Sequence, residues 1–311
     1  MVGWLSFKKN EILIAMNKRH NTMRPILFAL IAMLLFASCN LPVSPKVLKN
    51  ATTGNDYEHF ERYTKGGGTV STTVKDIEIN WFCDSITIEA YDGSEVVFSE
   101  TSPKRLDDST SMYYLLDDHG TSLTIQFCRA KVKIKNDSLH KQLHIFIPRD
   151  MHLDDIEING VSHAITLTGI HCENLEINSV DASIVLDGST IGDLEVNGVD
   201  EELTAIFHQM PNDIEFNTVD GNYTLYVPLD AGMTIEMNGL SSELHSGLPV
   251  RKEGSHNDDA TIIGNGACDI EVNGVDSHLT LYALSEDGKV DTTSNYKYMK
   301  HTSNKKSNKK H

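Results

Sequence analysis

The chain has 311 residues, of which 40% are hydrophobic and 23% charged. It is long enough for a sizeable buried core and too apolar for wholesale disorder. Lys+Arg number 27 against 44 Asp+Glu, a formal net charge of −17, which excludes readers of nucleic acid and catalytic cores that grip a phosphate backbone.

The first element in chain order is an address. Lys18, Arg19 and Arg24 precede an apolar run from Ile26 to Ala37, too short for the ~20 residues of a membrane span. A charged start, an apolar middle and a small residue before a cleavage point read as a signal peptide over 1–38. The run ends in Phe36-Ala37-Ser38-Cys39. This resembles the bacterial lipobox, with Phe36 where Leu is usual, and implies that Cys39 becomes the lipidated, palmitate-bearing first residue of an outer-membrane lipoprotein in the cell envelope. The first fifteen residues do not fit a signal, so translation is expected to start at Met16 or Met23. Residues 39–55 read as a tether, with Pro42 and Pro45 blocking regular structure.

Residues 56–150 are expected to form irregular β coils. SITIEAYDGSEVVFSE (85–100) reads as strand, Asp-Gly turn, strand; LLDDHGTSLTIQF (115–127) repeats the idea; QLHIFIP (142–148) ends at a proline. His140 and His144 have the spacing of a helical metal pair. On a strand, however, residues four apart lie about 13 Å apart, too far for one ion.

Residues 151–284 are governed by a repeat. IEINGVS (156–162), LEINSVD (175–181), LEVNGVD (194–200), IEFNTVD (214–220), IEMNGLS (235–241) and IEVNGVD (270–276) follow one another at steps of 19, 19, 20, 21 and 35 residues, with an earlier relative, IEINWFC, at 77–83. Alternation puts the aliphatics on one face and Glu on the other. The Asn-Gly that follows is expected to supply the bend, since both residues tolerate positive φ. Four residues past each motif's Val or Leu stand Ile165, Ile184, Leu203, Tyr223, Leu244 and Leu279; six past stand Leu167, Leu186, Ala205, Leu225, Ser246 and Leu281. An antiparallel meander has no need for such matched columns. A parallel β-helix, or β-solenoid, with 19–21-residue coils does, because each residue sits on its counterpart in the next coil. The 35-residue step carries a polar insertion, 251–259, expected to be an exposed loop. Residues 285–311, with six Lys and no acid over 294–311, read as a disordered basic tail.

In a solenoid, Glu157, Glu176, Glu195, Glu215, Glu236 and Glu271 would form an acidic ladder about 4.8 Å from coil to coil, read first as a solvated acidic stripe whose repulsion the core tolerates and, more sharply, as a site of weak, low-specificity Ca²⁺ capture. The adjoining Asn159, Asn178, Asn197, Asn217, Asn238 and Asn273 should stack as amide ladders. Four cysteines beyond Cys39, namely Cys83, Cys128, Cys172 and Cys268, lie too far apart in sequence for CxxC chemistry. Buried free thiols are favoured over disulfides.

The segments IEINWFCDSITIEAYDGSEVVFS, LHIFIPRDMHLDDIEINGVSHAITL, LEINSVDASIVLDG and CDIEVNGVDSHLTLY resemble a family of bacterial adhesin-type domains, exported β-solenoids of undetermined activity. The resemblance covers roughly 75–284 and implies no catalytic residues and no cofactor. The family's commonest version has Gly after the motif. Here Gly221 fits, while His163, Ala182, Glu201, Ser242 and Ser277 replace it, which puts the local turn in question. A lyase would need a basic residue, yet between 151 and 288 only Arg251 and Lys252 are basic besides His. The reading is therefore a lipid-anchored binding or structural protein without catalytic activity, whose partner is a surface glycan or an envelope protein. A carbohydrate-active enzyme on the same scaffold and an envelope signalling partner are the alternatives.

Overall fold

A computed structural model describes residues 57–82, 84–132, 139–161, 164–253, 260–285, 288, 290 and 299–301. The expected signal peptide and tether, Cys39, Cys83, His163 and most of the expected tail lie outside these residues. After one 3₁₀ turn at Phe60–Arg62 the chain is all strand: β1 (Thr64–Lys65), β2 (Gly68–Val70), β3 (Asp76–Trp81), β4 (Ser85–Tyr91), β5 (Val96–Thr101), β6 (Tyr113–Leu116), β7 (Ser122–Gln126) and β8 (Gln142–Pro148). The repeats follow as β9 (Leu153–Gly160), β10 (Ala164–Thr168), β11 (His171–Val180), β12 (Ser183–Asp187), β13 (Thr190–Val199), β14 (Glu202–Ile206), β15 (Asp213–Val219), β16 (Asn222–Val227), β17 (Met233–Leu240) and β18 (Glu243–Ser246). Last come β19 (Arg251–Glu253), β20 (Ala260–Ile263), β21 (Cys268–Val275), β22 (His278–Ala283) and β23 (Met299–His301).

Each coil contributes one strand to each of two facing sheets. In β11, Leu175 and Ile177 point inward and Glu176 lies between them facing out; in β12, Ile184 and Leu186 are buried. The first strands form one sheet, in the order β1-β6-β7-β3-β9-β11-β13-β15-β21-β17-β20-β19, and the second strands the other, β2-β5-β8-β4-β10-β12-β14-β16-β22-β18-β23. Pairing through the body is parallel and in register. Ile165, Ile184, Leu203, Tyr223, Leu279 and Leu244 are successive partners across one sheet. The molecule is a β-solenoid, and parallel pairing excludes the meander. Its core is a set of aliphatic columns, broken by Phe216 stacked on Tyr223 with ring centroids 3.8 Å apart.

The bend is not where the sequence places it. Asn178, Ser179, Asn197 and Gly198 remain inside strands, and the left-handed residues are Asp181, Asp200, Asp220, Ser241 and Asp276, with φ between 57 and 64°. Asp tolerates this region better than β-branched residues do. The turn also lets the Asp181 N–H donate to the Val199 carbonyl of the next coil at 2.9 Å. The insertion is likewise not simply a loop, since β19 and β20 pair antiparallel at its two ends.

Nor does the stack follow chain order. The coil β21–β22 sits between β15–β16 and β17–β18, so the last repeat in sequence is internal in space. The mirror arrangement holds at the other end, where β3–β4 lies between β9–β10 and β7–β8. Both outer coils are then covered by antiparallel strands: β5 and β6 at one end, β20 and β23 at the other. Short antiparallel caps blunt edges that would otherwise recruit further strands. At the N-terminal end, Lys141 is fully buried. Its Nζ lies 2.6 Å from Glu100 Oε2, donates to the Thr110 and Phe127 carbonyls, and sits 4.3 and 4.9 Å from the Phe127 and Trp81 ring centres. This pair ties the long excursion between β5 and β8 to the core, and removing either partner would leave a buried charge uncompensated.

The spatial order makes a sharp prediction. Leu279→Ala, in the internal coil, should cost about 2–5 kcal/mol. The earlier Leu244→Ala should cost less, because its strand β18 has only the short β23 on its outer side. Urea unfolding of the two variants measures the difference; equal costs, or the reverse order, would contradict the internal placement.

Candidate functional site

The two outer faces differ in chemistry. On the first sheet, in-register pairing aligns Glu78, Glu157, Glu176, Glu195, Glu215, Glu271 and Glu236, in that spatial order. Beside them run Asp76, Asp155, Asn174, Asp193, Asp213 and Asp269. From Asp76 to Glu215 the two rows line a trough of about 580 Å³. Desolvation, reinforced by neighbouring carboxylates, raises the pKa of Asp76, Glu195 and Asp213 above the ordinary range.

The Glu row is more than a solvated stripe, because a second row holds it in place. Asn159, Asn178, Asn197 and Asn217 are buried. Each donates one amide hydrogen to the Glu two residues earlier, at 2.7–2.9 Å. The second hydrogen of Asn178, Asn197, Asn217 and Asn273 goes to the Asn carbonyl of the preceding coil in space, at 3.0 Å each. The expected amide ladder is therefore present, and it carries the carboxylates on its flank. At its exposed end Asn238 bonds instead to Glu271, at 2.9 Å.

A third acidic row follows the turn residues. Burial and the flanking Asp181 and Asp220 push Asp200 up to about 6. The next column inward holds Ala182, Glu201, Gly221, Ser277 and Ser242, all buried. Glu201 is 1% exposed. Its Oε2 accepts the Ser179 hydroxyl at 2.9 Å, while Oε1 makes no hydrogen bond among the described residues. Burial holds its pKa well above the usual carboxylate range. Gly198 has no side chain because a Cβ there would run into the Ser179 carbonyl and the Glu201 carboxyl. Sequence reasoning saw Glu201 only as a departure at a turn. The available signal was an acid in a column otherwise occupied by small residues.

The remaining candidates stay apart. His140 is paired with Asp84 at 3.1 Å, while His144 lies on the outer face of β8. Cys128 is buried, and Cys172 and Cys268 are buried free thiols; desolvation raises Cys172 and Cys268 to about 12, far from thiolate reactivity. Among the described residues, no three His, Cys, Asp or Glu side chains are placed to hold a metal ion, and no helix is long and apolar enough to cross a membrane.

The family model described as Toastrack DUF4097 matches residues 147–282, the stretch from the end of β8 through β22. Over these residues the chain is similar to that family. Three solved structures resemble the chain at low identity, each over 71% of its length. They are a "putative cell adhesion protein" from Clostridium sporogenes ATCC 15579 (11% identical, 100% of that chain, TM-score 0.38), a "putative adhesin" from Bacteroides fragilis NCTC 9343 (12%, 98%, 0.34) and a "putative lipid binding protein" from Parabacteroides distasonis ATCC 8503 (11%, 97%, 0.27). No curated protein matches the chain. The Toastrack match leaves out β1–β7, although β3 and β4 pair directly with β9 and β10 and carry the same columns.

Two outcomes follow. Asn197→Asp removes the donor of two buried hydrogen bonds and puts a charge beside Glu195, so it should destabilise by about 2 kcal/mol or more. Asn238→Asp, at the exposed end of the same row, should cost well under half as much; thermal melts of both variants decide. Glu201 supplies a pH signature. Its folded pKa is raised, so the stability it confers is complete in acid and is lost as pH climbs from the ordinary Glu value through the raised one. Glu201→Gln should therefore match the parent near about pH 4 and exceed it at about pH 8. Urea midpoints across that range that ran parallel for the two proteins would show Glu201 ionised in the fold.

Proposed function

We propose that this protein, similar over 147–282 to the Toastrack family, is a lipid-anchored binding protein of the bacterial cell envelope, acting as an adhesin-type surface and not as an enzyme. The observation that carries this reading is the in-register stack. Catalysis requires unlike groups converging on one reacting atom. Parallel coils with a fixed register do the opposite: they set like groups side by side along each face. Such an array makes many weak, equivalent contacts, and its strength grows with the number of repeats a partner can engage. Cys39 would hold the stack at the membrane, with residues 40–55 as spacer, and the acidic outer face would keep the array clear of anionic headgroups.

The test is anchorage and attachment together. Cys39→Ser should move the protein from the detergent phase to the aqueous phase, and it should lower attachment of expressing cells to coated surfaces. Attachment unchanged by loss of the anchor would overturn the adhesive role. Release of new reducing ends from a polysaccharide panel, abolished by changing a single carboxylate, would overturn the non-catalytic one.

A further inference from the structure

The outer face of the second sheet is unlike that of the first. In-register pairing aligns Thr87, Thr166, Val185, Thr204, Thr224 and Thr280 along its middle, where the first sheet carries its Glu row. Both rows are outward positions of short parallel strands. Strand propensity alone would favour Thr in both, so it does not explain why carboxylates fill one face and hydroxyls the other. In the row beside the threonines, Tyr226 and Tyr282 are half-buried on adjacent strands, with ring centroids 5.3 Å apart and planes 22° apart. The acids on this face, Glu89, Asp187, Glu202 and Glu243, are separated by other residues in their rows instead of forming a column.

We infer that this hydroxyl-lined face is the docking platform for an uncharged, polyhydroxylated polymer, an extended neutral polysaccharide lying along the stack. The inference rests on the binding-protein reading and names its partner. Charge selects the occupant. A polyanion meets a body of net charge −17, and a polycation has the carboxylate trough on the other face. What remains for a face whose middle row, from Thr87 to Thr280, carries no charge is an uncharged partner. Each Thr hydroxyl can donate and accept, as sugar hydroxyls do, and successive hydroxyls recur at about 4.8 Å. The two tyrosines add apolar area with a polar tip, suited to the C–H faces of sugar rings.

The row also contains its own control. Val185 occupies it without disturbing the pairing of β12, so Thr→Val exchanges at Thr204 and Thr224 should preserve the fold while removing hydroxyls. The experiment is affinity electrophoresis of the full chain through gels containing a soluble glucan, xyloglucan or mannan, against gels with polygalacturonate or heparin. Retardation by at least one neutral polymer is expected. It should weaken about tenfold in Thr204→Val/Thr224→Val, weaken in Tyr226→Ser, and stay unchanged in Glu195→Gln, with melting temperatures checked for all. The proposal falls if no neutral polymer retards the protein, if the anionic polymers retard it more, or if the valine pair binds as the parent does. Should it fall while expressing cells still attach in a Cys39-dependent way, the adhesive reading stands with a different partner.

Discussion

Everything in this protein depends on one constraint: each residue lies one strand spacing from its own counterpart in the neighbouring coil. Stacking like on like is favourable for aliphatics, which close into continuous columns from Ile165 to Leu244. It is neutral for threonine and costly for carboxylates. The Asn row offsets that cost. An amide is the one side chain whose donor and acceptor can both be satisfied by copies of itself while a second hydrogen remains free. In Asn178, Asn197 and Asn217 that remaining hydrogen is spent on the adjacent Glu. The motif's Glu-x-Asn is thus one device: the amide ladder holds coil to coil, and its spare donors make a row of half-buried carboxylates tolerable.

The same constraint explains the turn. Asn must stay extended to reach its counterparts above and below, so the left-handed residue is displaced to the Asp three positions later. There Asp181, Asp200 and Asp220 become neighbours in turn, and Asp200 retains its proton to about pH 6. Glu201 is the extreme case. In a column of Ala, Gly and Ser it fills the space that Gly198 vacates, and burial favours its neutral form. Asp200 and Glu201 thus hold their protons more tightly folded than unfolded, and the stability these two confer is lost as pH rises.

The sequence by itself determined the coil: its length, its two-strand form, the inward columns, the amide ladder and the outward Glu all follow from a period-2 pattern recurring every 19–21 residues. It did not determine which coil stacks on which. The motif is so uniform that the face of β17 would accept β15 as readily as β21, since Ile214, Glu215 and Asn217 match Ile270, Glu271 and Asn273 position for position. Chain connectivity and end caps break that degeneracy, and they act through β19–β20 and through β5–β6, segments with no repeat to read. The sequence also left Lys141, Glu100 and Trp81 as unrelated residues, because their contacts close only when a long excursion folds back. It mistook the conformational tolerance of Asn-Gly for the bend itself, because φ at those positions is set by hydrogen bonds to other coils. Local pattern fixes what each coil is. Only tertiary structure decides the order of nearly identical units, because pairings of nearly equal energy are separated by their connections and not by their faces.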